Sequence, residues 1–105
     1  MIEVNFSYDL LQGIDQKAYG EWALKAVGAV LKSPGIIEFR ANRNLLGSPQ
    51  VRSTSLWRSL ADWANYTDSD EWRQLETEFR KFITNLRVEI WGPSPVMPEP
   101  VRPAK

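Results

Sequence analysis

Neither cysteine nor histidine occurs in the chain. It therefore has no thiolate nucleophile, no disulfide, no imidazole base, no histidine-dependent triad, and no cysteine or histidine ligand for zinc or haem iron. Chemistry falls to carboxylates, tyrosine, lysine, arginine, asparagine or a bound cofactor. Against that background the tryptophans stand out. Three of the five lie within residues 51–82, each near the end or start of an element: Trp57, Trp63 and Trp72. A fourth, Trp22, sits on an apolar stripe of helical spacing. Such stripes ordinarily build a core. The polar candidates lie on strand-like segments: Asn5 and Ser7 early, Glu38 and Arg40 in the middle, Ser55 two residues before Trp57, Arg87 and Glu89 late. Cross-strand ion pairs and hydrogen bonds on a wet sheet face account for several of these without any ligand.

The elements that position these side chains follow from apolar periodicity. Residues 2–8 alternate strictly, with Ile2, Val4, Phe6 and Tyr8 on one face and Glu3, Asn5 and Ser7 on the other, the signature of a strand with one face in a core. Residues 10–13 read as a loop, and Asp15 as an N-cap. From 16 to 32 the pattern turns helical: Tyr19, Trp22, Ala23, Ala26, Val27 and Val30 form one stripe. Gly20 and Gly28 within it are either surface glycines or points of close packing on a sheet. Ser33-Pro34-Gly35 ends the helix, because proline cannot continue it.

A second strand, 36–43, puts Ile37, Phe39 and Ala41 on one face and Ile36, Glu38, Arg40 and Asn42 on the other. Gly47-Ser48-Pro49 marks a hairpin. The third strand, 51–57, sends Val51, Ser53, Ser55 and Trp57 to one side and Arg52, Thr54 and Leu56 to the other. A short amphipathic segment over 60–66 is capped by Ser59 with Asp62, and a longer helix from Asp70 by Asp68 with Glu71. In the longer helix Trp72, Leu75, Phe79, Phe82, Ile83 and Leu86 hold helical spacing across four turns. Residues 87–91 close the fold as a fourth strand with Val88 and Ile90 facing the core. The last segment, 93–105, holds five of the seven prolines and is a tail that neither a helix nor a central strand can accommodate.

This order predicts an α+β domain over residues 1–92: a ferredoxin-like β-α-β-β-α-β subunit whose four-stranded antiparallel sheet carries both helices on one face. The other face is expected to bear Trp57 and Trp91 beside Asn5, Ser7, Glu38, Arg40, Arg87 and Glu89. A second copy of the chain would cover it, giving a homodimer. The tail, with Val96, Met97 and Val101 as spaced apolar anchors, is expected to lie extended across that partner. Thirteen basic and thirteen acidic residues cancel, so no net field draws the chain to nucleic acid or an anionic membrane. No apolar run is long enough to span a bilayer and no signal peptide is evident, so a cytoplasmic location is expected.

A strand ending in Trp57-x-Ser59, then a short helix, then Ser69-Asp70 opening a second helix, resembles the antibiotic-biosynthesis-monooxygenase-like family of the dimeric α+β barrel superfamily. Asn5 in the first strand and Ser33-Pro34-Gly35 before the second fit the same pattern, and the resemblance spans residues 1–92. It implies two sheets facing each other in a dimeric barrel, each subunit with a pocket between sheet and helices. It also implies oxygenation of a small aromatic, often phenolic, substrate with neither metal nor other cofactor. Carried over by position, Asn5 and Trp57 are the catalytic residues, Asn5 bonding a ring oxygen and Trp57 stacking on the ring. Ser7, Trp22, Arg40, Ser55, Trp63 and Trp72 are the substrate-binding candidates, with Arg40 favouring a phenolate. The haem-degrading relatives carry an iron-ligating histidine on the long helix, and the turn around Leu75-Glu76 has none. Two alternatives stay open on the same scaffold: a non-catalytic dimeric module, stress-related or binding a small apolar ligand, and a lyase or isomerase.

Overall fold

In the computed structural model, which describes residues 1–104, the order is β1 (Ile2–Leu10), α1 (Gln16–Leu31), β2 (Ile36–Arg43), β3 (Val51–Trp57), α2 (Leu60–Thr67), α3 (Asp70–Phe79) and β4 (Ile83–Trp91). The strands form one antiparallel sheet in the order β2-β3-β1-β4. The expected ferredoxin-like arrangement is present, with the short segment before the second long helix forming a helix of its own. Among the described residues no helix is long and apolar enough to cross a membrane. Residues 92–104 contain no helix or strand and leave Val96, Met97 and Val101 exposed; Lys105, the end of the expected tail, lies outside the described residues.

Each helix starts where a side chain can accept its unpaired backbone N–H groups. Asp15 Oδ1 accepts from the amides of Lys17 and Ala18 at 3.0 and 3.1 Å. Ser59 Oγ accepts from Asp62 N at 3.1 Å and opens α2. For α3 the cap is Ser69, which accepts from Trp72 N at 3.1 Å; Asp68, expected to cap it, instead closes α2. In the turn between α1 and β2, Gly35 has φ +90° and a Cβ there would collide with the Asp62 carboxylate of α2, so this turn demands glycine twice over. Gly20 and Gly28 differ: a Cβ at either meets nothing within 4 Å. Both are half-buried, but neither is a point of close packing.

The core has two parts. Tyr8, Trp22, Leu75, Phe79 and Ile83 form one buried cluster, and Val4, Val30 and Trp57 the other. Trp22 lies parallel on Phe79 with centroids 4.6 Å apart, and its Nε1–H donates to the Leu75 carbonyl at 2.9 Å. An otherwise costly buried donor is thereby satisfied.

Four local expectations are corrected. First, β1 continues to Leu10 instead of ending at Tyr8, because Asp9 and Leu10 pair with Thr84 and Ile83. Second, α3 stops at Phe79, and Ile83 and Leu86 belong to β4. Three residues apart, they would point to opposite sides of a regular strand, but the irregularity around Asn85, with φ +57°, brings both to the same core. Third, the β2–β3 register shifts between Ile36 and Glu38. Ile36 packs on the Trp57 cluster while Ile37 is left half exposed, the reverse of strict alternation.

The fourth correction matters most for function. Ile2 pairs with Trp57 and Val4 with Ser55, which places Trp57 on the helix-covered face, where it is 1% exposed. It is not on the open face with Trp91. That open face carries Glu3, Asn5 and Ser7 of β1 opposite Trp91, Glu89 and Arg87 of β4, with Arg40 and Glu38 on β2. Val88 and Ile90 do take the helix-facing side, paired with Phe6 and Val4. They remain half exposed, since β4 is an edge strand.

Candidate functional site

Between the sheet and the helices lies a cavity of about 150 Å³. Its floor comes from alternate residues of neighbouring strands: Phe6 and Tyr8 of β1, Phe39 and Ala41 of β2, and Val51, Ser53, Ser55 and Trp57 of β3. Period-two alternation places these on one face. The stripe of α1 covers them, and Trp63, Tyr66 and Thr67 of α2 with Trp72 and Phe79 of α3 complete the walls. Tyr66 bridges two of the tryptophans, its ring centroid 5.6 Å from Trp57 and 5.7 Å from Trp72. Phe6 meets Trp72 edge-on at 6.0 Å.

No charged side chain lines this cavity. Its polar equipment is hydroxyl and indole. Trp57 Nε1–H donates to Ser55 Oγ at 2.8 Å in a buried bond. At the other end the hydroxyls of Tyr8 and Tyr19 share a hydrogen bond of 2.7 Å. Burial, reinforced by the Tyr19 hydroxyl, pushes the Tyr8 phenol well above its ordinary range. Burial, with the Glu71 carboxylate adding to it, pushes Tyr66 up to about 12. Both stay protonated near neutrality and act as donors, not as bases. The arrangement can hold a flat apolar ring and offer hydrogen bonds to an oxygen on it, including one that gains negative charge.

Of the residues singled out in the sequence, Trp22, Ser55, Trp57, Trp63 and Trp72 meet around this cavity. Asn5, Ser7 and Arg40 do not. The sheet separates Asn5 from Trp57, so the expected shared pocket of these two is not formed, and Arg40 has no access to a phenolate in the cavity. Asn5 instead belongs to a polar network on the open face. Its Oδ1 accepts from Thr54 Oγ1 at 2.6 Å and its Nδ2 donates to Glu3 at 3.1 Å. Arg40 spans Glu3, at 3.3 Å, and Glu38. The half-exposed ion pairs of this network contribute little by themselves, whereas the Thr54–Asn5 bond is buried.

Tyr8, Tyr19, Ser53 and Tyr66 line the cavity without having been singled out. For Ser53 the signal was present, because it alternates with Ser55 and Trp57 on one strand. Tyr8 and Tyr19 sat on apolar stripes and read as core, and nothing in the spacing announces that their hydroxyls meet. Among the described residues no cluster of three or more Asp or Glu side chains could hold a metal ion.

Comparison with known proteins agrees with this architecture. Among curated proteins no significant sequence relative is found. Solved structures share the fold at low identity. A mutant of SnoaB, a cofactor-independent oxygenase from Streptomyces nogalater, superposes with TM-score 0.79 at 9% identity, over 93% of this chain and 97% of that one. A hydroxynitrile lyase from Passiflora edulis superposes with TM-score 0.75 at 15% identity, over 86% and 90%. At such identities the likeness establishes the fold, and the two activities show that the fold alone does not decide the reaction. The sequence itself is more specific: residues 1–78 match the family described as antibiotic biosynthesis monooxygenase. With three quarters of its length matched, and with the fold of that family, the chain belongs to the antibiotic biosynthesis monooxygenase family.

Proposed function

We propose that the protein is a cofactor-independent, monooxygenase-like oxidoreductase that oxidises an aromatic, phenolic substrate held between sheet and helices. The observation that carries this reading is the aromatic cavity with Trp57 in its wall and hydroxyl donors at both ends. In such a reaction the substrate supplies two electrons and two protons. One atom of dioxygen enters the ring system and the other leaves as water. The protein's part is to bind, orient and stabilise the oxyanion that passes an electron to dioxygen. Trp57 gives the ring a stacking surface, Trp22, Trp63 and Trp72 complete the enclosure, and Ser55 offers a hydroxyl. No carboxylate or amine lines the cavity, so the substrate must lose its proton readily on its own account. Asn5, Ser7 and Arg40, on the other face, serve the sheet and its pairing with a second subunit.

Dioxygen uptake by chelator-treated protein with a panel of quinol and anthrone-like substrates tests this. Uptake matched by formation of oxygenated product, and reduced at least tenfold by Trp57→Ala in protein that remains folded, is the expected result. No uptake across the panel, with ligands still bound, overturns it in favour of a small-ligand-binding module. A second reading, a lyase or isomerase whose substrate oxygen is held by a tyrosine hydroxyl, is favoured by the part-buried Tyr8–Tyr19 pair. It requires a dioxygen-independent turnover that Tyr8→Phe abolishes.

A further inference from the structure

The cavity also constrains what can occupy it, and the constraint comes from size, charge and one particular donor. An apolar protein cavity of about 150 Å³ holds a benzene ring. This cavity has the same volume, so a one-ring ligand fits and a second ring fills it. The cavity is partly open to solvent, so a linear three-ring skeleton, with more than twice the carbon of benzene, is enclosed only in part unless wall residues move. Those walls include Trp57 and Phe79, both almost wholly buried within the two core clusters, so they do not give way cheaply. A ligand with a permanent carboxylate, phosphate or ammonium would lose its hydration against walls without a charged group, and nothing there compensates.

Within these limits Ser55 is distinctive. A serine hydroxyl has one proton to donate and two lone pairs. Trp57 Nε1–H occupies a lone pair of Ser55 Oγ at 2.8 Å, and among the described residues the Ser55 proton finds no acceptor. The indole thus fixes the oxygen of a donor whose own hydrogen remains to be given. The Tyr8–Tyr19 pair also has one proton left over after its mutual bond. It lies at the other end of the cavity, since Ser55 pairs with Val4 and Tyr8 with Val51. Four residues along a strand amount to about 13 Å, so a one- or two-ring ligand cannot use both.

We infer that the substrate is an uncharged one- or two-ring hydroxyarene whose oxygen accepts a hydrogen bond from Ser55 Oγ, with Trp57 holding that hydroxyl in place. The inference rests on the cavity being the substrate site. It departs from a polycyclic substrate by the volume, and it makes Ser55 the group that tells a hydroxyarene from the bare hydrocarbon.

The test is binding, followed by tryptophan fluorescence or calorimetry, with naphthalene, 1-naphthol, 1-naphthoate and anthrone as probes. In the unaltered protein 1-naphthol should bind at least tenfold more tightly than anthrone and at least a hundredfold more tightly than 1-naphthoate. Ser55→Ala should weaken 1-naphthol about fivefold, the loss of one neutral hydrogen bond, and naphthalene less than twofold. Ser55→Thr, which keeps the hydroxyl, should restore the preference. Anthrone or 1-naphthoate binding as well as 1-naphthol overturns the size and charge argument. A 1-naphthol preference untouched by Ser55→Ala overturns the assignment to Ser55 and moves the donor to the Tyr8–Tyr19 end. If Ser55→Ala does not fold, Ser55→Cys, whose thiol is a weaker donor, should still weaken 1-naphthol and spare naphthalene, and an unchanged preference in it overturns the assignment to Ser55. Dioxygen uptake in the same samples separates this inference from the proposed reaction. The expected binding order without uptake sinks the monooxygenase reading alone, and uptake with anthrone but not with 1-naphthol sinks the inference alone.

Discussion

Asn5→Ala is the substitution that separates the two faces of the sheet. In the native chain Asn5 Oδ1 is the acceptor for Thr54 Oγ1 at 2.6 Å, and Thr54 is 2% exposed. Removing the amide leaves a buried hydroxyl without its partner. The cost of such an orphan is about 1–3 kcal/mol, whereas a bond merely exchanged for water costs less. The second bond, from Nδ2 to Glu3, ends on a carboxylate that is partly exposed and can rehydrate, so it adds little. A total of about 2 kcal/mol follows, equivalent in a domain of this size to a fall of roughly 10 °C in Tm. Thr54→Val on its own should cost less, because the Asn5 amide it leaves, 8% exposed against 2% for Thr54, is the easier of the two to rehydrate. The double variant Asn5→Ala with Thr54→Val should recover much of the loss, since removing both partners leaves nothing unsatisfied. Thermal and urea denaturation at one fixed protein concentration measure these effects, because any self-association shifts apparent stability with concentration. In the same variants the affinity for an aromatic ligand in the cavity should change less than twofold. A large loss of ligand affinity or turnover in Asn5→Ala at unchanged Tm would refute the reasoning, since it would mean that Asn5 reaches the ligand. A double variant no more stable than Asn5→Ala would refute the orphaned-hydroxyl explanation.

Three further outcomes are expected. Gly20→Ala and Gly28→Ala should each stabilise the chain by about 0.5–1 kcal/mol in denaturation, because a Cβ at either site meets nothing and alanine is the better helix former. In a spectrophotometric titration Tyr66, pushed up to about 12, should ionise well above the ordinary phenol value of about 10. A phenol whose folded pKa exceeds its unfolded value of about 10 favours the folded state below that pH. This contribution should fade as pH rises from about 10 towards 12, and a protein equally stable to denaturant across that window contradicts the assignment. Finally, with Trp91 56% exposed on the open face, the chain should sediment at about twice its 12.1 kDa mass. Truncation after Gly92 should weaken that association while leaving the subunit folded; a clean monomer, or a truncated chain that associates unchanged, counts against the pairing or the tail's part in it.

Local structures whose signals are strong and one-sided were legible in the residues alone. The alternation of residues 2–8, the stripe from Tyr19 to Val30, Asp15 as a cap, and Ser33-Pro34-Gly35 as a stop all lead to the observed elements, because backbone periodicity and capping are decided within a few residues. The absence of histidine and cysteine removed whole classes of chemistry in the same way. The choice of face was another matter. In β3 the sets Ser53, Ser55, Trp57 and Arg52, Thr54, Leu56 are both mixed in polarity, so period two alone cannot say which one meets the helices. Pairing of Trp57 with Ile2 and its packing on Val4 and Val30 decide it, and they put the sheet between Trp57 and Asn5. Ile83 and Leu86 continued a helical count that only pairing with β1 interrupts. The meeting of Tyr8 with Tyr19, and the hydrogen bond that leaves the Ser55 proton available, join side chains whose polar atoms no local pattern brings together. Spacing along one segment settles which residues share a face. Which face becomes the cavity, and which donors remain unspent inside it, is settled only when the strands pair and the helices close over them.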